Sequence, residues 1–297
     1  MTAFALALLA LGALLAEPVS RVLAAARWPA RDPVGALVLW QAVGLAGGLA
    51  LLGAGVVAGL APLGESLPAA LAALPHVGPL SAVHWGVLAV TALVASRLLG
   101  VLVLLTVRTL WARRRHRELL DVLATPWPGT RGARVLDHPL PVAYCLPGLR
   151  RSRLVVSAGA LDALPPAELV AVLVHERAHL AERHDLVVLP FVAWGATAPF
   201  VPGMARAQAA VAALVEMRAD DLARGTTGDG ALAAALQTVA GAGQASEAAL
   251  TSFSAATATR RARAQRAPDP LPAVKRLAVR AAALVLVAVP TAVLLLS

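Results

Sequence analysis

The sequence predicts an α-helical membrane protein with four crossing helices and one inserted α+β domain. Three observations carry that prediction. The 297 residues are 59% hydrophobic and only 14% charged, where an ordinary soluble domain is about half apolar and about a quarter charged. Long uncharged runs open and close the chain, whereas 22 of its 26 basic residues fall between Arg108 and Arg280. Within that basic region, short β-like runs give way to helical patterns.

The crossings come first. Residues 2–16 are apolar and continue less cleanly past Glu17 and Pro18 to about residue 24. This segment has no basic residue before its apolar run and no convincing small-residue cleavage site, so it is expected to remain as a membrane helix. Residues 34–61 carry no charge over 28 positions. Residues 82–111 are apolar except for Arg97 and Arg108, and residues 281–297 form the fourth stretch. A crossing helix needs about 20 apolar residues, so residues 1–111 are expected to hold three crossings and 281–297 the last. Arg97 either faces the bundle interior or snorkels, or else makes an intramembrane ion pair, with Glu17 as the candidate partner.

Loop charge orients the helices. Residues 62–81 contain no Lys or Arg, whereas residues 18–33 hold Arg21, Arg27 and Arg31, and "RRRHR" opens the long region at 113. By the positive-inside rule, the 18–33 loop and residues 112–280 are cytoplasmic and both termini lie outside. The expected location is the plasma membrane, in contact with lipid. A net charge of +9 could also signal nucleic-acid binding, but in a chain this apolar it marks cytoplasmic loops, and no direct nucleic-acid contact is expected. The single cysteine, Cys145, excludes an intrachain disulfide.

The inserted domain, 112–280, starts with a basic helical stretch to about Leu123, followed by the turn-rich "TPWPGTRG" at 125–132. Strands are expected at 133–137, 141–146 and 153–157, separated by Pro and Gly clusters. Pro165 and Pro166 then suit a helix's first turn, with Glu168 at its positive end, and nothing breaks that helix before about Arg183. Residues 186–203 are apolar but hold three prolines. A crossing there would put the following arginines outside, so a buried or re-entrant hairpin is expected instead.

Chemistry concentrates in "LVAVLVHERAHLAERHDLVVLPF", residues 169–191. His175 and His179 stand four apart, hence on one helix face about one turn apart. Two imidazoles so placed can bind one metal ion, and Glu176 beside them can accept a proton from a metal-bound water. This is the HExxH arrangement of zinc proteases. Catalytic zinc takes three protein ligands and keeps one position open. The third ligand is expected to be Glu216 in "VAALVEMRADDLA" (211–223), with Asp220 one turn later hydrogen-bonding a ligand histidine. The alternative is Asp185, which would need a sharp turn where Glu182 favours continued helix. His184 and Asp185 otherwise read as a solvated helix end. Tyr144, Arg260, Arg261 and Arg263 are candidates for steadying an oxyanion, although packing is the expected role of Tyr144 and charge balance would equally explain the arginines. Cys145 reads as structural.

The string 142–188, "VAYCLPGLRRSRLVVSAGALDALPPAELVAVLVHERAHLAERHDLVV", followed by "EMRADDLA" at 216–223, resembles the BlaR1/MecR1-type membrane zinc metallopeptidases of family M56. These are related to the Ste24/HtpX-type M48 proteases. The resemblance implies a gluzincin-like domain at 112–280, zinc at His175, His179 and Glu216, Glu176 as the base and Asp220 in support. It also implies that a strand just before the catalytic helix offers its edge to substrate, a place that "RLVVS" (153–157) occupies. The antibiotic-sensing members continue into an extracellular penicillin-binding domain. This chain stops at Ser297, so β-lactam sensing is not expected of this polypeptide.

The expected function is therefore that of an integral membrane zinc endopeptidase. Its substrate would be a cytoplasmic or membrane-proximal protein, for which the resemblance offers a transcriptional repressor. Two rivals stand beside it: a non-hydrolytic signalling scaffold on the same fold, and a general membrane quality-control protease. Glu176 favours the enzyme, since a base is useful only for chemistry.

Overall fold

The structure is a computed structural model that describes residues 1–74, 80–128, 132–148, 152–243, 262–263, 265 and 268–297. The chain divides into two compact units. One comprises Met1–Leu105, Val187–Ala212 and Leu271–Ser297, the other Thr106–Leu186 and Ala213–Pro270.

The first unit begins with α1 (Thr2–Leu14), which widens into a π-helical turn at Leu15–Val19 and continues as α2 (Ser20–Ala25). Pro18 lies inside the wide turn. Proline lacks an N–H and crowds the carbonyl one turn back, and the wider winding accommodates both defects. Ser20 Oγ donates to Leu15 O at 2.9 Å, giving that carbonyl a partner. Asp32 caps α3 (Pro33–Leu60), accepting from Gly35 N at 3.0 Å, with Pro33 in the first turn where no N–H is needed. A short α4 (Leu67–Ala73) follows, then α5 (Ala82–Leu123), a single helix of 42 residues that contributes to both units.

A four-stranded sheet anchors the second unit: β1 (Ala124–Pro126), β2 (Ala133–Leu136), β3 (Ala143–Leu146) and β4 (Arg153–Ser157), in the order β1-β2-β4-β3. β2 and β4 pair in parallel, and the outer pairs are antiparallel. β1 falls where the sequence reads as a linker. The middle of β4, Leu154–Val156, is apolar because both of its faces are covered. Leu154 and Val156 pack with Ala133, Ala160, Leu164 and Ala235 on one side, while Val155 packs with Leu120, Ala124 and Leu146 on the other. This order corrects the expectation that 153–157 offers an edge. β4 lies between β2 and β3, so both of its edges are paired, and β1 and β3 are the edge strands.

Ser157 ends β4 and caps α6 (Ala158–Ala163), accepting from Ala160 N at 3.0 Å. The chain then forms α7 (Pro166–Ala181), α8 (His184–Thr197), α9 (Pro202–Thr227) and α10 (Asp229–Gly243), and closes with α11 (Ala273–Leu296). Ala171 of α7, Ala223 of α9 and Leu232 of α10 share one buried cluster, which ties these three helices together.

Residues 187–212 belong with the apolar helices of the first unit. Phe191 meets Trp40 edge to face, with ring centroids 6.3 Å apart. Gln41 Nε2 donates to Val187 O at 2.8 Å, and Arg97 Nε donates to Thr197 O at 3.2 Å, covering carbonyls at the end of α8. Arg97 therefore does not pair with Glu17. That carboxylate is held instead by Arg206 at 2.6 Å and Arg21 at 2.8 Å. α8, at 14 residues, is shorter than a crossing requires.

Among the described residues, four helical segments are long and apolar enough to cross a membrane: Thr2–Ala25, Pro33–Leu63, Ala82–Leu123 and Ala273–Leu296. Of these, α3 is the most enclosed, packing Ala50, Ala54 and Val57 against Ala5 and Leu8 of α1 and Val293 and Leu294 of α11. Small residues permit this approach. A Cβ on Gly53 would stand 2.6 Å from Leu294, and one on Gly12 the same distance from Leu51.

Candidate metal centre

α7 starts at Pro166, with Glu168 in its first turn, and ends where Glu182 leaves the helix at φ −92° and Arg183 takes φ 50°. Between those limits, the helical repeat puts His175 and His179 on one face. α9 runs past them, its own four-residue spacing bringing Glu216 and Asp220 to the same side. Ala171 and Ala223, both fully buried, pack the two helices together near these residues.

The four side chains meet. His175 Nε2 lies 3.2 Å from His179 Nε2 and 3.5 Å from Glu216 Oε2, while His179 Nε2 lies 3.5 Å from Glu216 Oε1. Among the described residues, His175, His179 and Glu216 form a group whose ligand atoms all lie within 4.8 Å of one another. An ion bonded to three donors at about 2.0–2.1 Å in tetrahedral directions needs those donors about 3.3–3.4 Å apart. The donor set, two imidazoles and one carboxylate, also suits zinc. On spacing and chemistry, the residues fit that ion.

The other side of His175 is held as well. Its Nδ1 lies 3.0 Å from Asp220 Oδ1, a carboxylate whose side chain is 4% exposed. Burial pulls the His175 imidazolium down. Hydrogen bonds with Asp220 and Glu216 outweigh that pull and push it up to about 9. Two carboxylates facing two imidazoles thus make a place that favours positive charge.

Glu176 projects beside this group toward the sheet. Cys145 N, on the β3 edge, donates to Glu176 Oε2 at 2.9 Å, which fixes the carboxylate's orientation. The Cys145 thiol is pushed up to about 12 by burial and by the neighbouring Glu176, so it stays protonated at neutral pH and is a poor nucleophile.

The remaining candidates separate from the group. Asp185 is bound by Arg113 at 2.9 Å, and its carboxylate is not among the convergent ligand atoms. Tyr144 faces the opposite side of the sheet from Cys145, where it packs near Leu120 and its hydroxyl lies 2.6 Å from His116 Nε2. Arg263 is buried and reaches Asp221 Oδ1 at 2.6 Å. Arg260 and Arg261 lie outside the described residues.

The solvated end expected for His184 and Asp185 is not what the chain forms. His184 is 3% exposed and lies against His179, with the two Nδ1 atoms 3.0 Å apart. The sequence signal for this contact is a third histidine in the same string, which on a helix continuing through Arg183 would face elsewhere.

The family model described as Peptidase family M48 matches residues 107–259, just over half of the chain. No curated protein and no solved structure matches.

Proposed function

The chain belongs to peptidase family M48, and we propose that it is an integral membrane zinc endopeptidase that carries its catalytic groups on α7 and α9. One observation carries this reading: His175 Nε2 and His179 Nε2 lie 3.2 Å apart and each lies 3.5 Å from an oxygen of Glu216, with Glu176 on the same helix turn. In this reading these three residues hold zinc and Asp220 orients His175. When bound, zinc supplies a Lewis acid that acidifies a water molecule and polarises the scissile carbonyl.

The chain's own residues do the rest. Glu176 takes a proton from the attacking water and returns it to the departing amine. The Cys145 N–H keeps that carboxylate in place. β3, as the edge strand beside α7, would pair with an extended substrate segment through main-chain hydrogen bonds. Such pairing reads backbone more than side chains, and so would hold the scissile bond in place with modest sequence selectivity.

The finer assignment rests on the resemblance of 142–188 and 216–223 to BlaR1/MecR1-type peptidases. The four apolar segments support a multi-pass protein of the plasma membrane, and loop charge supports a cytoplasmic catalytic domain with both termini outside. The substrate in this reading is a cytoplasmic or membrane-proximal protein such as a transcriptional repressor. Zinc content and cleavage by the purified full-length chain, compared with Glu176→Ala, test the proposal. The expected result is one zinc per chain in both, with cleavage by the parent alone. Equal cleavage by both proteins would end the catalytic assignment.

A further inference from the structure

His179 is held differently from His175, and the difference points to a residue without a role so far. The Nε2 atom of His179 faces His175 and Glu216, so its Nδ1 points the other way, where it meets His184 Nδ1 at 3.0 Å. The two rings are near perpendicular, at 84°, with centroids 4.8 Å apart. His184 Nε2 in turn lies 3.2 Å from Glu182 Oε2. Glu182 is gripped by Arg218, whose Nη2 donates to Oε1 at 2.6 Å and whose Nε donates to both carboxylate oxygens at 3.0 Å. That grip and the His184 contact hold the Glu182 carboxyl below its usual range, with Arg218 the larger cause, so it is an anion ready to accept.

We infer that His184 is a positioning residue that holds His179 in the tautomer and orientation needed for binding metal through Nε2. The inference rests on the metal-centre reading given above. A neutral imidazole that gives its Nε2 lone pair to an ion carries its proton on Nδ1. The nitrogen opposite, His184 Nδ1, must then accept. The proton of His184 consequently sits on Nε2, where Glu182 accepts it. Each donor finds one acceptor, and Arg218 anchors the far end. His175 has the same arrangement in one step, through Asp220. His179 has it in two, with an imidazole interposed between ligand and carboxylate.

The backbone supports the same conclusion. On an unbroken helix, a residue five places after His179 stands about 140° round the axis and faces elsewhere. Arg183 takes φ 50°, the only non-glycine positive φ among the described residues, and the chain turns back there to bring His184 against His179. A left-handed residue with a side chain is disfavoured, and such strain gathers where geometry is functionally constrained.

The test is zinc affinity of the metal-stripped full-length protein in detergent, measured by competition with a chelator of known affinity, together with the absorption spectrum of the cobalt-loaded form. His184→Phe is expected to weaken zinc binding about ten- to a hundredfold and to alter the cobalt spectrum. His184→Asn, whose Oδ1 can accept where Nδ1 did, is expected to restore affinity to within about threefold of the parent. Phe binding as tightly as the parent would overturn the inference. So would Asn and Phe being equally weak, since that marks packing rather than a hydrogen bond. Should the Phe variant not fold, Glu182→Ala serves in its place, with about a threefold loss expected and parental affinity overturning the inference. His175→Ala separates the two levels: unchanged zinc binding there would sink the metal centre itself, not the role of His184 alone.

Discussion

Two of the polar clusters among the described residues, one in each unit, are built differently. In the apolar helical unit, Glu17 sits between Arg206 at 2.6 Å and Arg21 at 2.8 Å. The anion has two guanidinium partners, both at Oε1. In the other unit, Glu216 and Asp220 face His175 and His179. Here two imidazoles and a carboxylate converge on one spot. The first arrangement is a clasp that joins α9 to α1 within its unit. The second gathers metal-ligand groups, one donor atom from each lying within 4.8 Å of the others. The lesson is that polar groups in an apolar chain are informative through where their donor atoms converge, rather than through their presence.

That contrast can be broken in several places, taken here from the largest expected effect downward. Glu176→Gln should lower kcat by about 10²–10⁴-fold while zinc content holds, because a base is lost and no ligand is; a parallel loss of zinc would mean that Glu176 belongs to the donor set. Asp220→Ala should weaken zinc binding about ten- to a hundredfold in chelator competition, since His175 loses its orienting carboxylate. Glu17→Ala should do the reverse. The melting temperature falls as Arg206 and Arg21 lose their shared anion, and zinc affinity stays at the parental value. If instead Glu17→Ala changed zinc affinity, the two clusters would not be independent. Arg183→Gly should have the smallest effect. Relief of the left-handed strain, about 1–2 kcal/mol, is offset in part by about 0.5–1 kcal/mol of added chain entropy, leaving a stability change within about 1 kcal/mol in denaturant titration. Arg183→Val at the same position should destabilise, because β-branching makes that conformation costlier.

The legible parts of the molecule are those with a short repeat. The spacing of His175 and His179 determines their shared face on any helix, and the spacing of Glu216 and Asp220 does the same on another; the expectation that these two faces meet comes from the ligand count of a catalytic zinc and from the family resemblance. The long uncharged runs likewise announced helices, and the run at 153–157 announced a strand. What escaped is non-local. The sheet order, with β4 inside and β3 at the edge, depends on how the chain returns after β2, and nothing in "RLVVS" records it. Glu17 pairs with Arg206 from the far end of the sequence rather than with Arg97 on the neighbouring apolar run. His184 escaped for a local reason of another kind. A left-handed turn normally announces itself with glycine, and here an arginine occupies that place.

The most direct test of the metal centre is zinc X-ray absorption on the purified full-length protein. The account predicts a single zinc bound only by nitrogen and oxygen at about 2.0–2.1 Å, with the scattering pattern of two imidazoles, and loss of that signal in Glu216→Ala. A sulfur ligand at about 2.3 Å, a single imidazole, or an unchanged spectrum in Glu216→Ala would contradict it.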